Sequence, residues 1–303
     1  MSITSRQTVR VLLSATLCLL LLAGLAVAQD DKANQAKEYF NAGVTAMQDG
    51  NVEDAVQNYQ AAIQLMPDYV DAHLNLGVIY FQSQQFDQAL EQFQAVVDKD
   101  PQNVDALANL GRVQYVKRNY PAAEQAYQAA LDIDENNAGM YLELGKAQYR
   151  MRKWSAVTES IEKGHSLGEA DKTSYYLLGK AYDKMDQTQK AVDALQQSIQ
   201  LDGSYYNSRS ALGSIYLGQE RYDAAANQFQ AALKASPNRY RAAYNYAVAR
   251  ESANPDAIDN NIANWEAFVK LAKNNPKATS DVSVAESHIK ELKERKEVLE
   301  MNN

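Results

Sequence analysis

A glycine that recurs with a fixed period of 34 constrains the fold of this chain more than any other feature. Six glycines share this spacing, and Ala247 continues the series. They are Gly43, Gly77, Gly111, Gly145, Gly179 and Gly213. When this glycine is counted as position 8 of each unit, position 20 keeps its register too, as Ala55, Ala89, Ala123, Val157, Ala191 and Ala225. A fixed period of this length predicts a stack of similar units rather than a single globular core.

Within each unit, the apolar residues predict two antiparallel helices. They are spaced three and four residues apart in two stretches, with a short break such as 49–51 or 118–120 between them. Small residues at positions 8 and 20 allow the helices to approach closely, and larger residues at positions 4 and 24 fill the space beside them. Proline at position 32 ends the second helix because it lacks an amide donor. It occurs as Pro67, Pro101 and Pro237. We therefore expect an all-α fold.

The repeated positions resemble the consensus of the tetratricopeptide repeat family. Residues 72–80 read AHLNLGVIY and match that consensus at nearly every diagnostic position, and the later matches in the same repeat are Ala89, Phe93 and Pro101. The resemblance implies a right-handed α-solenoid of stacked helix-turn-helix repeats, whose first helices line a concave peptide-binding groove. Its six repeats span 36–69, 70–103, 104–137, 138–171, 172–205 and 206–239. The fourth departs most, with Val157, Ile161 and Gly164 where alanine, an aromatic residue and alanine are usual. We expect weaker packing there.

The chain beyond residue 239 is expected to close the stack. A degenerate seventh repeat spans 240–280, in which Phe268 fits position 24 only if five residues are inserted, with 252–256 as the natural place. Residues 281–303 are predicted to form a capping helix, since Ser283-x-x-Glu286 is a capping-box pattern. Its apolar stripe consists of Ala285, Ile289, Leu292 and Leu299. A dimerising coiled coil is the alternative, but the stripe covers barely two heptads.

The N-terminal segment 1–28 has the pattern of a secretory signal peptide. Arg6 and Arg10 precede an uncharged, leucine-rich run over 11–28, which ends in Ala26-Val27-Ala28. We predict cleavage after Ala28, a short lead over 29–35, and a soluble mature protein that is periplasmic or secreted. The absence of an Asn-x-Ser/Thr sequon favours a bacterial envelope. An uncleaved anchor that tethers the chain to the membrane is the alternative, because a run of about 18 apolar residues is the lower limit of a span. Lipidation at Cys18 is disfavoured by Leu17 before it.

The composition argues against an enzyme. The three histidines lie far apart and match no metal-binding spacing, and His73 stands at position 4, where other repeats place packing residues. A single cysteine excludes a thiolate metal site, and no glycine-rich phosphate loop occurs. The net charge of −8, or −10 once Arg6 and Arg10 are removed with the leader, disfavours binding to nucleic acid. We predict a non-enzymatic protein without a metal or cofactor.

The residues of the implied groove suggest how a peptide could be bound. Position 6 holds Asn41, Asn75 and Asn109, which resemble the asparagine ladder of some family members, where side-chain amides pair with an extended peptide backbone. Asparagine at this position also occurs as ordinary consensus chemistry without a ligand. Position 12 adds Tyr115 and Tyr149, whose rings offer apolar surface. A peptide-binding or protein-binding adaptor is one hypothesis for the function. A structural subunit of an envelope assembly that uses its convex face or its ends is the other.

The charges at position 9 predict an acidic ligand. Arg112, Lys146 and Lys180 stand there in three consecutive repeats of an acidic protein. Because neighbouring cations repel each other, we expect an extended acidic segment or a free C-terminal carboxylate to bind them. The alternative is that these side chains solvate the helix and pair with nearby carboxylates such as Glu143 or Asp183.

Overall fold

A computed structural model describes residues 29–301 and contains helices but no strands in that range. The predicted leader and its cleavage site lie outside the described residues. Residues 29–48 are helical and are called α1. The following helices are α2 Val52–Leu65, α3 Val70–Gln82, α4 Phe86–Lys99, α5 Val104–Val116, α6 Tyr120–Ile133, α7 Ala138–Arg150, α8 Trp154–Ser166, α9 Lys172–Lys184, α10 Thr188–Leu201, α11 Tyr206–Gly218, α12 Tyr222–Ala235, α13 Tyr240–Ala253, α14 Ile258–Ala272 and α15 Thr279–Met301. The chain forms two compact units that divide after Glu135. The predicted all-α architecture of stacked helix pairs is confirmed.

In both units, the two helices of every complete repeat meet where a glycine faces a large side chain. Residues at position 24 of the second helix lie so close to the glycine at position 8 that a Cβ atom there would be 2.6–2.9 Å from the side chain. These side chains are Tyr59, Phe93, Tyr127, Ile161, Leu195 and Phe229, all buried. The glycine recurs every 34 residues because the same contact between positions 8 and 24 occurs in every complete repeat.

The turn between the two helices has the same backbone conformation in every complete repeat. Its position 15 has a positive φ in each case, and the residues are Gly50, Gln84, Arg118, Arg152, Asp186 and Glu220. The next amide donates back across the turn, as from Gln85 N–H to the Tyr80 carbonyl at 2.8 Å. This left-handed C-cap ends the first helix and satisfies one of its last carbonyls.

The fourth repeat packs tightly despite its unusual residues. Val157 and Ile161 are fully buried in the core of the second unit. Gly164 lies under Leu142, and a Cβ atom added to this glycine would be 2.8 Å from the Leu142 side chain. Leu142 on the first helix thus occupies the space beside the small residue on the second, and the weaker packing that we expected is not seen in the burial of this repeat.

The insertion in the seventh repeat is shorter than we expected. The first helix of this repeat, α13, begins at Tyr240. If the two helix starts were spaced as those of α3 and α4 are, the next helix would begin at residue 256. Helix α14 instead begins at Ile258, so the shift is two positions and not five. It places Trp265, rather than Phe268, in line with position 24. Both rings are buried, and each makes an edge-on contact with Tyr244.

The C-terminal helix begins earlier than the sequence pattern indicated. A 3₁₀ turn, Pro276–Ala278, leads directly into α15 at Thr279, so Ser283 and Glu286 lie inside the helix. The predicted capping box is wrong, because a capping serine needs a non-helical backbone at the helix start. Asn275 instead accepts a hydrogen bond from the Lys277 amide at the start of the 3₁₀ turn. The capping role of the helix is supported by the burial of three of its four predicted stripe residues, Ala285, Ile289 and Leu292, whereas Leu299 is 46% exposed.

Candidate functional site

The first unit has an apolar hollow on its groove face, the term used here for positions 2, 5, 6, 9, 12 and 13 of the first helices. The hollow has a volume of about 330 Å³ and lies between α1 and α3. Its lining consists of Val44, Met47, Gln48, Tyr59, Asn75, Val78 and Ile79. Mostly apolar walls with a few amide and hydroxyl groups match the composition of ligand sites in proteins.

The three asparagines predicted to form a ladder have different environments. Only Asn75 borders the hollow, where its Nδ2 atom donates a long hydrogen bond of 3.4 Å to the Tyr59 hydroxyl. Burial raises the pKa of Tyr59, and this bond partly opposes the shift. Asn41 is exposed and Asn109 is half-buried, and neither side chain has a hydrogen-bond partner among residues 29–301. The amides of Asn41 and Asn109 are thus available to a ligand.

Aromatic pairs mark the end of the groove face nearest the inter-helix turns. Tyr115 packs edge-on against Tyr120, with ring centres 5.4 Å apart, and Phe81 packs in the same way against Phe86 at 5.7 Å. In the second unit, Tyr149 and Trp154 form the equivalent pair at 5.5 Å. Tyr115 and Tyr149 were predicted from the sequence, and their partners at position 17 were not, although an aromatic residue five positions after another in consecutive repeats was a visible signal.

The cations at position 9 differ in their pairing. Arg112 in the first unit is exposed and makes no ion pair with any residue of the described range. In the second unit, Lys146 Nζ lies 2.8 Å from Glu143 and Lys180 Nζ lies 2.9 Å from Asp183, each pair on one helix. The alternative to the acidic-ligand prediction was that these cations pair with nearby carboxylates. Such pairs are present at both lysines and, within residues 29–301, absent at Arg112.

Tyr176 is a further residue of the second unit's groove face, and the sequence analysis missed it. It stands at position 5 of α9, and burial raises the pKa of its hydroxyl, with a further contribution from the neighbouring Tyr149. Its ring meets Tyr205 at nearly a right angle, 6.0 Å between centres. Tyr149 and Tyr176 are therefore neighbouring aromatic side chains on the groove face of this unit.

His73 is a structural residue, as its position suggested. It is buried, its Nδ1 atom lies 2.8 Å from Gln92 Oε1, and its Nε2 atom lies 2.8 Å from the Pro67 carbonyl oxygen.

Residues 29–301 contain no group of three or more His, Cys, Asp or Glu side chains that could hold a metal ion. Within the same range, no helix is long and apolar enough to cross a membrane.

Comparison with known families agrees with this repeat geometry. Models of the family described as "Tetratricopeptide repeat" match residues 46–112 and 80–138, 173–205, and 210–256. The chain is a tetratricopeptide repeat protein. The unusual fourth repeat is the main gap between the matched segments. A search of curated proteins gives no significant match.

Solved structures of other tetratricopeptide repeat proteins share the fold. The C-terminal part of a repeat protein from Cytophaga hutchinsonii is 18% identical with a TM-score of 0.63, and the match covers 80% of this chain and 98% of that one. PilF of Pseudomonas aeruginosa is 21% identical with a TM-score of 0.57, covering 72% and 96%. YrrB, described as a TPR protein with an unusual peptide-binding site, is 19% identical with a TM-score of 0.54, covering 62% and 95%.

Membership of this family sets the general kind of activity. Tetratricopeptide repeats are protein-interaction modules that bind protein or peptide partners, and they are typically non-catalytic. No enzymatic family is indicated by the comparisons.

Proposed function

We propose that this tetratricopeptide protein is a non-enzymatic adaptor of the bacterial cell envelope that binds an extended segment of a partner protein on its groove face. The observation that carries the proposal is the hollow of about 330 Å³ in the first unit, with Val44 and Val78 from successive repeats among its lining residues. Burial of apolar side chains there favours binding, because it removes apolar surface from water. Asn75 at the rim, with Asn41 and Asn109 at the same position of neighbouring repeats, offers amides to a peptide backbone.

The test is a selection of linear peptides from a random display library with residues 29–303 as the immobilised protein. Peptides that bind should lose at least about tenfold in affinity when Val78→Arg fills the hollow. Gln88→Arg is the matched control, since it adds the same charge at an exposed position on α4 of the same repeat. If no peptide is enriched, or if both variants bind equally well, binding of an extended segment in the hollow is overturned, and the structural-subunit hypothesis is favoured.

We further propose that acidic residues of the bound segment contact Arg112, with Lys146 and Lys180 as weaker contacts in the second unit. Arg112 is exposed and lacks an ion pair among the described residues, whereas an acidic ligand must compete with Glu143 and Asp183 for the lysines. Each exposed contact should contribute on the order of 1 kcal/mol and be screened by salt. Selected peptides should therefore be enriched in Asp and Glu, and Arg112→Gln should reduce both their affinity and its salt dependence. Enrichment of neutral sequences would contradict this assignment.

We propose export to the periplasm by cleavage after Ala28. Support comes from the sequence of residues 1–28 alone. N-terminal sequencing of the exported protein should begin at Gln29. A chain that still begins near Met1 and fractionates with membranes would establish the uncleaved anchor instead.

A further inference from the structure

A second cavity lies near the C-terminal end of the second unit, among α13, α14 and α15. Its volume is about 460 Å³. It is lined by Tyr244, Val248, Trp265, Ser283, Val284, Ala285, Ser287, His288 and Glu291. The cavity combines aromatic rings, aliphatic side chains and a carboxylate, and it has no lysine or arginine in its described lining.

Aromatic rings form one wall of this cavity. Tyr244 and Trp265 meet nearly at a right angle with ring centres 5.2 Å apart, and His288 meets Trp265 in the same way at 5.5 Å. Trp265 is held in place by its Nε1–H group, which donates to Glu251 Oε2 at 2.7 Å. The indole is 5% exposed and is therefore a fixed part of this wall rather than a mobile side chain. It holds the half-buried ring of Tyr244 in place, and the face of an aromatic ring attracts cations.

Two carboxylates supply negative charge beside this wall. Glu251 also contacts His288 Nε2, at 2.9 Å from its Oε2 atom, and is only 22% exposed. Glu291 on the rim is 3.6 Å from His288 Nδ1 and 73% exposed. Among the described residues that line the cavity, His288 alone is able to carry a positive charge, and it faces both carboxylates. Even a charged imidazole leaves the group of three with a net negative charge.

We infer that this cavity binds the cationic side chain of an arginine residue in a partner protein. A guanidinium group is planar, so it can lie against an aromatic ring and donate hydrogen bonds to a carboxylate at the same time. Tyr244, which is half-buried, provides the ring, Glu291 provides an exposed carboxylate, and Val248 and Val284 contact the aliphatic part of the side chain. Trp265 is buried and packs edge-on against Tyr244. This site goes beyond the segment binding proposed above and does not depend on it.

The probe for this site is N-acetyl-arginine amide, and N-acetyl-citrulline amide is its neutral control of nearly the same shape. The chain has two tryptophans, so Trp154→Phe leaves Trp265 as the single fluorescent indole. In this background we expect a saturable change in fluorescence with the arginine compound, and affinity at least about tenfold higher than for the citrulline compound. Equal binding of both compounds, or no saturable response up to about 10 mM at low ionic strength, would overturn the inference.

Three further variants separate recognition of charge from damage to the fold. Glu291→Gln should weaken arginine binding at least about threefold, whereas Glu286→Gln, an exposed residue of α15 that does not line the cavity, should leave it unchanged. Val284→Lys, on the rim, should abolish binding by placing a cation in the cavity. Unchanged melting temperatures establish that each variant is folded.

An unaffected affinity in Glu291→Gln would count against the site. Val78→Arg in the first unit should not alter arginine binding, which keeps the outcome separate from that of the peptide selection.

Discussion

At the scale of single residues, the glycine at position 8 is required by the side chain opposite it rather than by its own backbone. The Cβ atom of an alanine at Gly77 would lie 2.6 Å from Phe93 Cε1, far inside van der Waals contact. The glycine period predicted a close helix approach, with larger residues at positions 4 and 24 in the space beside it. The sequence did not show that the side chain at position 24, rather than the one at position 4, lies directly against the glycine, because residue spacing does not show which side chain points at it.

We expect Gly77→Ala to destabilise the protein by about 1–2 kcal/mol. Overpacking costs about 1–3 kcal/mol, and the better helix propensity of alanine returns part of it. Chemical denaturation measures the difference. Gly139→Ala is the control, because the nearest atom to its new Cβ would be Asn137 Oδ1 at 3.9 Å. Equal stability of the two variants would contradict the contact.

His165 should make folding sensitive to mild acid. Desolvation by burial lowers its pKa, against the opposing effects of Asp171 and Glu162, and its Nε2 atom lies 2.8 Å from Ser174 Oγ. Because the unfolded chain then binds the proton more readily, the free energy of unfolding should decrease as the pH falls through about 6.5, the ordinary value for histidine. Above that pH this residue should have no such effect.

NMR titration of the ring protons measures this shift directly. The midpoint of His165 should lie below about 6.5, and His165→Gln should make stability less dependent on pH between about 7 and 5. A midpoint at or above the ordinary histidine value would show that burial does not control this group.

At the scale of helices and turns, the sequence was sufficient to predict where the helices lie but not the backbone conformation of the turns. The first helices of repeats two to seven all begin at position 1, as the apolar spacing implied. The positive φ at position 15 was not predictable, because only Gly50 is a glycine there and the other repeats place residues such as Gln84 or Arg152 in that conformation. The hydrogen bond that closes the turn imposes the conformation, whatever residue occupies it.

The candidate site was also predictable only in part. The sequence placed Asn75 on the groove face, but it could not decide whether Lys146 binds a ligand or pairs with Glu143.

The capping helix should contribute strongly to stability through its buried stripe. Ile289 is 8% exposed and belongs to the cluster that includes Trp265 and Phe268. Ile289→Ala should therefore cost about 2–4 kcal/mol, the range for removing a large aliphatic side chain from a core. Val298→Ala on the same helix, at a site that is 50% exposed, should change stability by less than about 0.5 kcal/mol. Thermal or urea unfolding of both variants checks the prediction. Equal effects would mean that α15 does not stabilise the last repeat by covering its apolar residues.

At the scale of the whole molecule, repeat proteins are stabilised by contacts within repeats and between sequence neighbours. Each of the two units has its own buried clusters, such as the one around Tyr59 and Phe93 in the first and the one around Ile161, Leu195 and Phe229 in the second. A mutation that creates a cavity in one unit should therefore destabilise mainly the helices of that unit.

Hydrogen exchange of Phe93→Ala tests this locality. Loss of the fully buried ring should cost about 3–5 kcal/mol, and amide protection should fall most in α3 and α4 and in their neighbours α2 and α5. Amides of α11–α14 should keep their protection, because their own contacts, such as Gly213 against Phe229, are unchanged. An equal loss of protection in every helix would instead mean that the repeats unfold as one cooperative body.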